Sequence, residues 1–353
     1  MNAPVAISTK VSEADLADTA TARRIEAFAK DQGGSLFHRP QWLFAVAKAT
    51  GHKATGLVSE RLGAITGWLP ITEVRSRLFG NALVSSGFAV GGGILAESEN
   101  DANALGEAAT HHAQVNGFSN AELRGGPVPD GWREVADKHC GFERALAEDD
   151  EAELLAIPRK SRAEVRKGLK MGLEVRIGRD ASDLAAHYGV YSESVRNLGT
   201  PVFPKRLFEH MLAAFPESSD ILTVLADGKP ISSVLSFYHD SAVMPFWGGG
   251  TFAARGARAN ELMYYELMLH ARRQGMERFD FGRSKTGSGP YRFKKNWGFE
   301  PQPLSYAAWT EPGAPPRNVD PTSASYARKI ALWKKLPLPI ANAIGPIIAR
   351  DLV

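Results

Sequence analysis

The chain has 353 residues, 44% of them apolar and 23% charged, proportions that suit globular domains and exclude disordered and coiled-coil classes. Lysine and arginine total 42 against 39 for aspartate and glutamate, a net charge of +3, so a general field that would hold DNA is excluded and only local basic patches count. The single cysteine, Cys140, excludes a disulfide framework and cysteine-held metal clusters.

In chain order, residues 1–20 are polar and weakly patterned, open to disorder or to one short strand, and show neither the basic start nor the apolar run of a secretory signal. Helices are predicted over Thr21 to Lys30 and Gln41 to Ala49. The second is entered through Phe37-His38-Arg39-Pro40, because proline suits a first turn whose N–H has no partner anyway. Ala54 to Glu60 and Ala64 to Val74 read as strands joined by the turn Arg61-Leu62-Gly63. A glycine-rich break at Gly87 to Gly93 precedes a helix over Asp101 to Asn116, ended by Gly117, and a strand over Ser119 to Arg124.

A similar rhythm follows. Ile157 to Met171 is a basic helix ended by Gly172, Leu173 to Ile177 a strand, and Ser182 to Arg196 and Lys205 to Phe215 are helices. Ile221 to Ala226 and Ile231 to Tyr238 are strands joined by Asp227-Gly228, the strongest hairpin signal in the chain. After a strand over Ala242 to Trp247, Asn260 is expected to cap a helix that reaches Gln274 and closes on Gly275. Glu277 to Gly282 and Phe299 to Trp309 are further strands, Glu311 to Asn318 a proline-rich linker, and Ser323 to Lys335 a tail helix. Beyond it, Leu336 to Ala349 is uncharged and apolar, but its 14 residues, broken by Pro337, Pro339 and Pro346, fall short of the about 20 that span a bilayer. The expectation is a soluble, cytoplasmic protein of α+β class with two similar halves.

Asn260-Glu261-Leu262-Met263-Tyr264, Gly275 and Phe279-Asp280-Phe281-Gly282, following a strand hairpin, resemble the Fem-type (FemAB-like) branch of the Gcn5-related N-acyltransferase (GNAT) superfamily, which includes peptidoglycan-bridge aminoacyltransferases. Phe37-His38-Arg39-Pro40-Gln41-Trp42 resembles the opening of that branch's first domain, and Arg159 to Gly172 its basic helix between two domains. Gly67-Trp68-Leu69-Pro70, Ser85-Ser86-Gly87-Phe88 and Trp333 to Pro346 are similar to the Fem-like proteins associated with exosortase (PEP-CTERM) and exopolysaccharide loci.

The resemblance implies two tandem GNAT-like domains, each a mixed, mainly antiparallel sheet flanked by helices. The first would span residues 21–150 and the second 151–312 with its basic entry helix 157–171, between a flexible N-terminus over 1–20 and a proline-rich linker and helical tail over 313–353. It also implies amide formation, in which an amine attacks an activated acyl carbon. Aminoacyl-tRNA or acyl-coenzyme A would be the co-substrate, with no tightly bound cofactor. One departure stands out. The superfamily's pyrophosphate loop should precede the Asn260 helix, and Arg255-Gly256-Ala257-Arg258-Ala259 sets an arginine where the key glycine belongs.

Alternation along the strand places Phe279 and Phe281 on one face and Arg278 and Asp280 on the other. Asp280 then stands at a strand end, beside a loop that carries Arg283, Lys285, Arg292, Lys294 and Lys295. Gly282, Ser284, Gly287, Ser288 and Gly289 are costly to order, which points to a loop that closes on an anionic donor or acceptor. The alternative for Asp280 is a carboxylate that only orders the turn. Asp280 is the candidate proton acceptor or amine anchor, and Tyr291 the candidate acid or carbonyl contact. Asn260, Tyr264, Arg283, Ser284, Lys285, Arg292, Lys294 and Trp297 are candidate substrate contacts, the aromatic ones being equally open to a core role. Gly282 to Gly287 has the spacing of a phosphate loop, but Ser288 occupies the lysine position.

Arg159, Arg162, Arg166 and Lys170 fall on one helical stripe, flanked by Lys160 and Lys167, with Glu164 the one acid among them. Such a stripe suits a phosphate of a nucleotide, a lipid pyrophosphate or tRNA, or is a solvated face. The adjacent pairs His111-His112 and His139-Cys140 lack ligand spacing, and no metal site is expected.

The function these readings favour is an N-acyl- or aminoacyltransferase acting on an amino group of a cell-envelope or exopolysaccharide precursor, either a small molecule or a lipid-linked saccharide. The alternative is a catalytically decayed GNAT pair that binds or scaffolds in polysaccharide biosynthesis. Trp333-Lys334-Lys335 and the apolar run after them suit a peripheral contact with the inner face of the membrane, or a tail packed over the first domain.

Overall fold

The computed structural model describes residues 9–317 and 324–353; residues 1–8 and 318–323, which include Asn318 of the expected linker and Ser323 of the expected tail helix, lie outside the described residues. The chain divides into two compact units. The first comprises residues 1–136, 304–319 and 351–353, and the second residues 137–303 and 320–350. The sequence-based division into contiguous blocks does not anticipate these returns of the chain.

The first unit is built from β1 (Lys10–Glu13), α1 (Thr19–Asp31), α2 (Pro40–Thr50), β2 (Lys53–Arg61), β3 (Ala64–Val74), β4 (Ala82–Ser85), β5 (Leu95–Ala96), α3 (Glu99–Val115) and β6 (Asn120–Arg124). β7 (Arg133–Ala145) leads into the second, followed by α4 (Asp150–Ala156), α5 (Arg159–Gly168), β8 (Glu174–Gly178), α6 (Ala181–Leu198), α7 (Lys205–Ala214), β9 (Ser219–Ala226), β10 (Lys229–His239) and β11 (Ala242–Gly250). α8 (Phe252–Ala257), α9 (Ala259–Arg273), β12 (Arg278–Asp280), β13 (Ser284–Lys285) and α10 (Gly289–Asn296) come next. β14 (Pro301–Thr310) returns to the first unit, and α11 (Ala324–Trp333) and α12 (Leu338–Ala349) to the second.

Each unit repeats one plan. In the first, β1, β2, β3 and β4 run antiparallel, and β6 joins β4 in parallel after the crossover through α3. In the second, β8, β9, β10 and β11 run antiparallel, and β12 joins β11 in parallel after the crossover through α9. A parallel neighbour requires such a crossover, whereas the antiparallel ones need only hairpins. The turns at Leu62-Gly63 and Asp227-Gly228 hold both residues at positive φ, as a two-residue hairpin demands. The fold is therefore two GNAT-like mixed sheets, mostly antiparallel and flanked by helices.

Alternation on β10 sets the layers. Ser232 bonds Asn260 of α9, while its neighbour Ser233 bonds His187 of α6, so α6 and α9 cover opposite faces of the second sheet. Between sheet and α9 lies a core of Phe279, Phe281, Trp297, Phe299, Met263 and Met268. In the first unit Trp42 and Trp68 are buried, their indole N–H groups donating to Gly87 O and His38 O at 2.9 Å, which makes them core.

Of the two readings open for residues 1–20, the short strand is the one seen, as the edge strand β1 paired with β2. Several other expectations are corrected. Asn260 does not cap α9; Arg258, held at φ 56° and ψ 31°, precedes that helix instead. The segment read as a loop through Lys295 contains α10, capped by Ser288 Oγ, which accepts from Tyr291 N. Past the tail helix, the proline-broken run forms α12, with Pro339 in its first turn, where a missing N–H costs nothing.

Candidate functional site

β11 and β12 pair only through Ala242 with Arg278 and Val243 with Phe279. β11 then continues to Gly250 while β12 stops at Asp280. The sheet splits here, and β12 does not follow β11 from Met244 to Gly250. A place where two strands part is one where an extended ligand can lie along a strand. Asp280 stands one residue past the last pair, where the strands part.

On its other side β12 pairs β7, with Asp280 opposite Glu143 and Arg278 opposite Ala145. Gly282 N donates to Asp280 Oδ1 at 2.8 Å, so the turn-ordering role foreseen as an alternative is present. One bond leaves the second carboxylate oxygen available. Burial raises the Asp280 pKa above its usual value, and Glu143 adds to the rise; the Gly282 bond and the cations of Lys294 and Arg278 act against it. Arg278 is itself held by Glu143 at 3.0 Å and Asp240 at 2.9 Å.

Lys294 departs from its expected part. It is 8% exposed, and its Nζ donates to Gly282 O at 3.0 Å and Arg283 O at 3.1 Å while lying over the rings of Phe142 and Phe281. It therefore clamps the turn after Asp280 and is not an open phosphate ligand. Burial lowers its pKa to about 8 from an ordinary 10.5. Between those values the unfolded chain keeps a proton that the folded protein has lost, so Lys294 makes stability rise with pH from about 8 to 10.5. Urea unfolding across that range should show the rise in the native protein and its loss in Lys294→Met; parallel profiles would refute the clamp.

The remaining predicted residues separate. Tyr291 lies one turn before Lys294 on α10, its ring edge-on to Phe142 at 5.4 Å, so Tyr291 and Lys294 converge on that ring. Ser284 is buried on β13 with its Oγ unpartnered, and Lys285 is half-buried on the same strand, opposite His139. Arg283 is half-buried, and Arg292 is exposed, donating to Gly287 O at 3.0 Å. Trp297 is 1% exposed and Tyr264 packs against Phe281, Phe293 and Trp297 at 4.7, 5.8 and 6.1 Å; burial pushes the Tyr264 pKa up to about 12. These two are core walls behind the turn. Asn260 Oδ1 accepts from Ser232 Oγ at 2.7 Å, fixing α9 to β10. Sequence reasoning missed Glu143 and Phe142, because β7 was not recognised as a strand.

At the head of α9, Arg258 adopts the left-handed backbone that a glycine would favour. Its Nε lies 2.6 Å from Glu164 Oε2 and its Nη1 donates to Arg255 O at 2.8 Å. Glu164 also accepts from Lys167 at 2.7 Å, a bond that holds its pKa below the usual range. The acid in the α5 stripe is thus already engaged. Gly168 lets α5 cross α9 closely, since a Cβ there would lie 3.0 Å from Arg258 O. Arg159, Arg162, Arg166 and Lys170 surround a surface depression of about 340 Å³. Arg162 donates to Leu155 O at 3.1 Å, whereas the side chains of Arg159, Arg166 and Lys170 have no ion pair or hydrogen bond among the described residues. The structure brings this stripe together as one face, apart from the Asp280 group.

Residues 158–295 match the acetyltransferase (GNAT) domain family. No curated protein matches the chain in sequence. Among solved structures, the chain is similar to FemX, with 16% identity over 80% of this chain and 95% of that one and a TM-score of 0.64. It is also similar to the C-terminal domain of a putative lysylphosphatidylglycerol synthetase from Agrobacterium fabrum, at 14% identity over 81% and 90% of the two chains with a TM-score of 0.56. A tandem GNAT protein of the clavulanic acid biosynthesis pathway gives 11% identity over 86% and 98%, again with a TM-score of 0.56. At these identities the likeness is one of fold. The chain folds as tandem GNAT-like units, and the second carries the stretch recognised as an acetyltransferase (GNAT) domain.

Proposed function

We propose that the protein is an N-acyl- or aminoacyltransferase that builds an amide on an amino group of a cell-envelope or exopolysaccharide precursor. The observation that carries this reading is the split between β11 and β12 with the Asp280 carboxylate where the strands part. An acyl donor laid along β11 where β12 parts from it would bring its reactive carbonyl towards Asp280. The acceptor amine attacks in its neutral form, a C–N bond forms, and the ester or thioester oxygen or sulfur leaves. Asp280 takes the surplus amine proton, directly or through water, and Tyr291 is the candidate donor to the leaving atom. The oxyanion of the tetrahedral intermediate needs N–H donors, and the stretch of β11 that β12 does not follow is the candidate to supply them.

The residues at the head of α9 bear on the donor. Arg258 raises a side chain where close approach to a pyrophosphate calls for glycine, and Glu261 adds a negative charge to the first turn of α9. Acetyl-coenzyme A is therefore expected to bind weakly, and calorimetry showing tight binding that Arg258→Gly leaves unchanged would refute this. A neighbour whose name couples lysyl to phosphatidylglycerol supports an aminoacyl donor, and the α5 stripe suits the phosphates of tRNA. The resemblance to Fem-like proteins of exosortase loci supports an exopolysaccharide acceptor.

The deciding experiment is mass spectrometry of amino-sugar precursors, nucleotide-linked and lipid-linked, incubated with the protein and either aminoacyl-tRNA or acyl-coenzyme A. A mass gain of one acyl or aminoacyl group supports the enzyme. Tight precursor binding without any product favours the scaffold reading, to which the altered loop before α9 lends some weight.

A further inference from the structure

α12 inverts the usual assignment of a surface helix. Ala341, Gly345 and Ala349 are buried, while Ile340, Ile344 and Ile347 are 49%, 39% and 62% exposed. The small face packs on α6 and the segment after it. A Cβ on Gly345 would lie 3.0 Å from Val202 N, and Asn342 Nδ2 donates to Ser192 Oγ at 3.2 Å. The tail thus rests on the second unit, and only Asp351 to Val353 belong to the first. A helix in water gains by hiding isoleucine and showing alanine, so this arrangement is unfavourable unless something apolar covers it. The three isoleucines, spaced i, i+4, i+7, form one stripe.

We propose that this stripe is a lipid-interface anchor, with α12 lying in the plane of an anionic bilayer surface. Charge argues for that occupant. No acidic residue occurs between 324 and 350, and exposed Arg328, Lys329, Lys334 and Lys335 precede the stripe, with exposed Leu332 among them. Basic residues beside an apolar helix face are what an anionic headgroup layer attracts. Length argues for the orientation. Twelve residues make a helix of about 18 Å, too short for a hydrocarbon core of about 30 Å. Among the described residues no helix is long and apolar enough to cross a membrane. Because α12 rests on α6, and α5 packs on α9 across the sheet, docking leaves the α5 stripe turned to water, open to a soluble polyanion.

The test is co-sedimentation of the full chain with vesicles of phosphatidylcholine alone or with phosphatidylglycerol added. Binding to the anionic vesicles, weakened by salt, is expected. Ile340→Ser/Ile344→Ser/Ile347→Ser should lower the partition at least tenfold while the melting temperature falls only slightly, because those side chains are 39–62% exposed in the folded chain. Lys334→Glu/Lys335→Glu should remove the preference for anionic lipid. Indifference of the native chain to vesicles, or equal binding by the isoleucine variant, overturns the proposal. So does a dimer in analytical ultracentrifugation that the isoleucine variant dissolves, since a second copy would then cover the stripe.

Discussion

Asp280→Asn is expected to lower turnover by about 10²- to 10⁴-fold, the range a positioned general base contributes, while leaving the melting temperature nearly unchanged. Asparagine keeps the acceptor oxygen for Gly282 N and removes the proton acceptor. The native acid limb of the pH profile should lie above the usual carboxylate value, because burial and Glu143 raise the Asp280 pKa. Activity therefore climbs as pH passes that raised value, and Glu143→Gln should move the limb to lower pH. Stability runs the other way. Between 3.8 and the raised value the folded protein holds a proton that the unfolded chain has lost, so Asp280 makes stability fall as pH rises through that window. Near-native turnover in Asp280→Asn would assign the residue to the turn alone.

Trp297→Ala is expected to cost about 3–5 kcal/mol of stability, the range for emptying a large aromatic from a packed core. Trp297 closes the second unit's core, with Phe281, Phe293 and Tyr264 between 5.8 and 6.5 Å from its ring. Urea unfolding measures the loss directly. A stable variant with a raised KM would instead restore Trp297 to the substrate contacts.

Both expectations correct or refine what residue types alone suggest. Lys294 reads from sequence as one of several cations for an anionic ligand, because its position on a glycine-rich stretch gives no sign of burial. Ser288 followed by Gly289-Pro290 is, in retrospect, a helix start, with an acceptor hydroxyl and a proline in the first turn; the surrounding glycines hid it. Once α10 forms, Tyr291 and Lys294 share a face and turn onto Phe142. β7 escaped notice because its outward residues and Gly141 break alternation, and it is a strand because β12 and β13 pair with it.

The sequence by itself determined the hairpins at Leu62-Gly63 and Asp227-Gly228, the glycines Gly117 and Gly275 that close α3 and α9, and the recurrence of elements that makes two similar halves. Those are local choices, set by which residues tolerate positive φ and by the period of apolar side chains. Tertiary structure alone decided that Lys294 clamps a turn, that Trp297 is core, that Asp280 faces Glu143, and that α12 shows its isoleucines and hides its alanines. Each of these depends on which distant segment arrives at a given face, and no pattern within a single segment records that.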